Sequence, residues 1–107
     1  MEDPDTVTIS TESAFHALGL PDADDLEVRA ELINTIARIV GQRDLTQARI
    51  GELIGMDQPR VSALLRGRIT KFSTERLLKA LSDLGQDVEL RIAPARTGKG
   101  RIHVAVT

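Results

Sequence analysis

The chain has no cysteine, tryptophan or tyrosine, and its only aromatic residues are Phe15 and Phe72. Without thiols there is no disulfide framework, no thiolate metal site and no cysteine nucleophile. Two phenylalanines leave almost no material for stacking unpaired bases, which argues against single-strand nucleic-acid binding. No apolar run approaches the roughly 18 residues of a membrane span, and the first residues are acidic where a secretory signal is basic and then apolar. A cytoplasmic setting without a membrane partner is the expectation. His16 and His103 stand alone, with no carboxylate pair at metal-ligand spacing, so no metal, cofactor or enzymatic role is expected.

Basic residues are also absent from one end. Residues 1–27 hold eight acidic residues and no lysine or arginine, whereas residues 28–107 hold all fourteen basic residues against eight acidic ones. The formal net charge of −2 therefore conceals an acidic head on a basic body. A solvated leader and a partner-binding segment both fit that head. At 107 residues the chain suits one small domain with a real core.

What is present centres on Leu45 to Gly67. Thr46 can cap a helix that begins at Gln47, with Leu45 and Ile50 as a hydrophobic staple; Asp57 can cap a second, with Met56 and Val61 as its staple. Pro59 then falls in a first turn, where its missing N–H costs little. Gly55 sits at the turn, and Gly51 occupies a helix interior, where it costs roughly 1 kcal/mol against alanine unless close packing repays it. Val61 and Leu64 would face inward. A pair of plain core helices would account for that much, but not for the opposite face, where Gln58, Pro59, Arg60, Ser62, Ala63 and Arg66 gather amide, guanidinium and hydroxyl groups.

The elements around this pair are helical too. Pro21 and the acids Asp22, Asp24 and Asp25 open a helix in which Val28, Leu32, Ile36 and either Ile39 or Val40 recur at helical spacing, with Arg29, Asn34, Thr35 and Arg38 facing away. Gly41 to Asp44 reads as a connector. Ser73 can cap a last helix with Phe72 and Leu77 as staple, Leu77, Leu78, Leu81 and Leu84 inside, and Gly85 at its end. Before these, Val7 and Ile9 alternate as a short edge strand would, and Thr11 can cap a short helix through Leu18 whose Phe15 either tucks onto the core or anchors a partner. After them the period changes. Val88, Leu90 and Ile92 alternate, Pro94 to Gly100 supplies turn residues, and Ile102, Val104 and Val106 alternate again, which reads as a hairpin. Such a ribbon is marginal alone and needs the helical body, the Val7/Ile9 segment or a second copy of itself to dock on.

The fold expected is mainly α: a small helical bundle with a helix-turn-helix, plus a short C-terminal β-hairpin or strand pair. Its parts are an acidic, partly flexible segment over 1–21, a DNA-binding unit over 22–86 and a β extension over 87–107.

The runs TQA at Thr46 to Ala48, QPRVSALLRG at Gln58 to Gly67 and FSTERLLKAL at Phe72 to Leu81 resemble the lambda-repressor-like (XRE) helix-turn-helix family, in particular its antitoxin-type members. The similarity extends over Val28 to Ile92. It implies a sequence-specific repressor in which Gln47, at a helix N-terminus, meets a backbone phosphate. Gln58 has the amide that can bond twice to the N6/N7 edge of adenine, and Arg60 and Arg66 suit guanine or phosphate. Pro59 departs from the polar residue common in phage repressors, and like Ala63 it offers only apolar contact. Arg68 and Lys71 suit phosphates by their position beside the second helix. One such helix discriminates weakly, so a homodimer on a palindromic operator in double-stranded DNA is expected. The antitoxin resemblance further implies a small basic toxin of the RelE/ParE class as partner, for which residues 1–27 are the candidate contact. A stand-alone phage-type repressor without a toxin and an interaction module that has lost DNA binding are the competing readings.

Overall fold

The structure is a computed structural model that describes residues 22–107. The Val7/Ile9 strand, the helix expected over 11–18 and Phe15 lie outside the described residues. Within them the order is α1 over Asp22–Gln42, α2 over Gln47–Ile54, α3 over Gln58–Leu65, a 3-10 turn at Ile69–Lys71 and α4 over Thr74–Asp83.

The helix starts follow from three capping side chains. Thr46, Asp57 and Ser73 adopt extended backbone, and their oxygens accept from the N–H groups of Arg49, Arg60 and Arg76 at 3.1, 3.0 and 3.1 Å. A cap of this kind is worth about 1 kcal/mol. At the other end of α2, Gly55 takes a φ of 68°, a left-handed conformation that a side chain would strain, and so turns the chain toward α3.

α1 runs further than the sequence suggests. Gly41 keeps a helical conformation, so the connector begins after Gln42, and the reversal is made by Asp44 with a φ of 53°. Aspartate is among the few non-glycine residues that enter this region readily.

The core is continuous across all four helices. Val28, Leu32, Ile33, Ile36 and Val40 of α1 meet Ile50, Ile54, Met56, Val61, Leu64, Phe72, Leu77, Ala80, Leu81 and Leu84. Of the alternatives for the last α1 position, Val40 is buried and Ile39 only partly so. Thr35 does not face away as its polarity suggests. It is buried, and its hydroxyl donates to the Glu31 carbonyl one turn back at 2.8 Å, which satisfies the group without water. Arg29 is likewise not free, because it pairs with Asp25 on the same helix. Asp25 also accepts from the hydroxyl of buried Thr74 at 3.1 Å, tying the start of α1 to the start of α4.

The expected C-terminal hairpin is not formed. No residue from 87 to 107 is in a strand, and among the described residues no backbone hydrogen bond involves this tail. Its two halves take different environments instead of pairing. Ile102 and Val104 pack against the helical core, while Val88, Leu90 and Ile92 stand 47%, 55% and 66% exposed. Alternation alone does not supply a strand with a partner, and here Ile102 and Val104 find a helical surface while Val106 stays 51% exposed.

Gly51 is where α2 and α3 cross. A Cβ built on it would lie 2.6 Å from the Met56 carbonyl oxygen and 3.5 Å from a Val61 methyl. The first contact is with backbone that carries the turn, and Met56 N–H is itself bonded to the Gly51 carbonyl at 3.1 Å. Gly51→Ala should therefore lower stability by about 1–3 kcal/mol in urea unfolding, in spite of the roughly 1 kcal/mol by which alanine is the better helix former. An unchanged or raised midpoint would mean that the two helices do not meet at this residue.

Candidate nucleic-acid interface

The candidate surface is built on α3, whose side chains are set by its anchoring. Val61 and Leu64 are fully buried. At about 100° per residue, Pro59, Ser62, Ala63 and Arg66 project from the opposite side, with Gln58 and Arg60 on the flanks. Gln58, Pro59, Arg60 and Arg66 are exposed, and Ser62 and Ala63 are half-buried. Ala63 packs partly against the core, so only its outer side is on offer.

The loop after α3 folds back beside this face. Arg68 donates its backbone N–H to the Ala63 carbonyl at 3.1 Å, and Lys71 donates to the Arg68 carbonyl at 3.0 Å. Half-buried Ile69 anchors the turn, leaving the Arg68 and Lys71 side chains exposed. Gln47 is exposed at the first position of α2 and lines a shallow cleft with Ala48, Gly51, Glu52, Met56 and Gln58. The two glutamines thus share one cleft between the helices. The one carboxylate lining it, Glu52, is paired with Arg49 at 2.9 Å, and both side chains are well exposed, so the pair adjusts local charge more than it stabilises the fold.

Two contributors escape the sequence reading. Phe72 is buried under α3, and the Arg60 guanidinium lies 5.9 Å from its ring centre. The ring restrains an otherwise free cation at the edge of the face. Arg76, on α4, donates from one guanidinium nitrogen to the Ile54 carbonyl at 2.6 Å, placing positive charge at the C-terminal end of α2. Each pair joins residues far apart in sequence, and only the folded chain brings them together. As staple partner of Leu77, Phe72 was legible as a core residue, but nothing in the sequence linked it to Arg60.

The arrangement offers amides, a hydroxyl and guanidinium groups along the outer ridge of α3, with exposed Arg68 and Lys71 on the loop that follows it and Gln47 across the shared cleft. Such a ridge suits a groove lined by phosphates and base edges. Among the described residues no three His, Asp or Glu side chains cluster as metal ligands, and no helix is long and apolar enough to cross a membrane. The family model for a helix-turn-helix domain matches residues 14–93. A solved structure described as an XRE family transcriptional regulator superposes with a TM-score of 0.74 at 34% sequence identity, over 81% of this chain and 100% of that one. The chain belongs to the XRE-type helix-turn-helix family. No curated protein matches it. In this XRE-type domain α2 and α3 are the helix-turn-helix, and α1 and α4 are the scaffold that packs behind them.

Phe72→Leu tests the restraint on Arg60. It should retain the fold at a cost below about 1.5 kcal/mol, since a leucine fills most of the space. The ring-current displacement of the Arg60 δ-proton resonances should disappear from the NMR spectrum. Unmoved resonances would place Arg60 away from the ring.

Proposed function

We propose that this chain is a sequence-specific DNA-binding transcriptional repressor that acts as a homodimer on a palindromic operator. The observation that carries the reading is the exposed polar face of α3, opposite Val61 and Leu64 and bordered by Arg68 and Lys71. Gln58, Arg60 and Arg66 are its base-reading candidates, while Gln47, Arg68 and Lys71 hold phosphates and set the orientation. Pro59 and Ala63 supply apolar contact, suited to a thymine methyl, and Ser62 a hydroxyl. Two copies related by a two-fold axis multiply the modest discrimination of one short helix.

The finer part of the proposal is an antitoxin role, with a small basic toxin as partner. Its support is the resemblance of the runs around Gln58 and Phe72 to antitoxin-type members, together with a head of eight acidic residues and no basic one over 1–27. Charge of one sign on a segment that precedes the helix-turn-helix in sequence would let toxin and operator bind the same molecule.

Binding to the operator should weaken steeply with salt, because each neutralised phosphate releases counterions. Lys71→Ala should lower affinity for all sequences alike and reduce the salt slope by about 1. Gln58→Ala should cost about 1–3 kcal/mol on the operator and little on unrelated DNA. Titrations of operator and scrambled duplex at several salt concentrations separate the two, and salt-independent binding or equal losses on both duplexes would sink this assignment. For the antitoxin role, the native operon expressed with a tag on this chain should yield a basic partner at fixed stoichiometry that is lost when residues 1–21 are removed, a cut that leaves α1 and Asp25 in place. A tagged chain that purifies alone from its intact operon would leave a plain repressor.

A further inference from the structure

Among the described residues, the first half of the tail is in no strand and makes no backbone hydrogen bond. Val88, Leu90 and Ile92 alternate in sequence with Glu89 and Arg91, and all three are at least 47% exposed. The Glu89 and Arg91 side chains approach each other to 3.5 Å, and both are at least three-quarters exposed. The segment follows closely on the cap of α4 at Leu84, so it is held near the helical body rather than at the end of a long linker. Exposed apolar residues at period two, with backbone groups that find no partner among the described residues, form a template for adding another strand.

We infer that residues 88–92 become a strand by pairing antiparallel with the same segment of a second copy, centred on Leu90. The inference names the interface of the homodimer proposed above and rests on that reading for the two-fold arrangement. Charge selects the register. With Leu90 opposite Leu90, Val88 faces Ile92 of the other copy, and Glu89 faces Arg91 twice over, once on each side of the axis. Centring on residue 89 or 91 sets Glu89 against Glu89 or Arg91 against Arg91, and a shift by one residue places apolar side chains opposite charged ones on both faces. A parallel, in-register pair repeats the like-charge contacts. Two strands alone are marginal in water. The short connection to α4 keeps each helical body within reach of the ribbon's apolar side.

The chain has no cysteine, so single cysteines report the register directly. Directly opposed residues sit about 4.5–5.5 Å apart between Cα atoms, inside disulfide range, whereas residue 88 lies ~13 Å from its own copy. Leu90→Cys should form a disulfide-linked dimer under mild oxidation, and Val88→Cys should not. Glu89→Arg and Arg91→Glu should each weaken self-association about tenfold in sedimentation equilibrium, and mixing the two variants should restore it, because every cross-strand pair is then again of opposite charge. A chain that remains dimeric without the Leu90→Cys crosslink, or whose dimer ignores both charge changes, would overturn this interface and leave the DNA-binding reading intact. A chain that is monomeric at all concentrations would overturn it as well. A crosslinked dimer that fails to bind any palindrome would support the interface and overturn the proposed function instead.

Discussion

The structure depends on the close approach of α2 to the start of α3 at Gly51. The Met56 carbonyl sits where a Cβ would be, and a Val61 methyl lies just beyond. That proximity sets the angle at which α3 leaves the turn, and with it which side chains of α3 are buried and which are presented. A wider separation would rotate Val61 and Leu64 away from the core that α1 and α4 complete. The residues on the outer face contribute little to this geometry. They inherit their positions from it, which leaves them free to be chosen for recognition.

Much of this was legible in the chain because local chemistry and global packing agree. Thr46, Asp57 and Ser73 each combine a capping oxygen with an apolar pair that straddles the helix start, and each begins a helix where that pattern places it. Gly51 was legible as a cost that only packing could offset. The errors arose where one residue has two options that differ little locally. Thr35 can face water or bond its own helix backbone, and the core around α1 selects the second. Gly41 can end a helix or continue one, and α1 continues. Phe72 with Arg60 and Arg76 with the Ile54 carbonyl were illegible in principle, since their meeting depends on where α4 and the 3-10 turn settle.

The tail shows a different limit. Its alternating pattern suggested two strands, but a pattern of period two says nothing about what supplies a neighbouring strand, and none forms. The helical body takes Ile102 and Val104. The first half pairs its two charges, Glu89 with Arg91, and leaves Val88, Leu90 and Ile92 exposed. An order of this kind is matched to a partner of equally ordered sequence, which a second copy of the same segment provides by construction.

The lengths of the helices bear on how the candidate face works. α2 and α3 have eight residues each, well short of the 12–15 at which an isolated helix becomes even marginally stable in water. Neither exists apart from the tertiary contacts, so capping, the Gly51 approach and the Arg76 bond to Ile54 are what hold the polar face in shape. A face held this way enters a groove without first paying to order its backbone. Its exposed side chains still lose freedom on binding, and the one with a built-in restraint is Arg60 over Phe72. Pre-positioning therefore falls on a guanidinium at the flank of α3, while the exposed amide of Gln58 has no comparable restraint among the described residues.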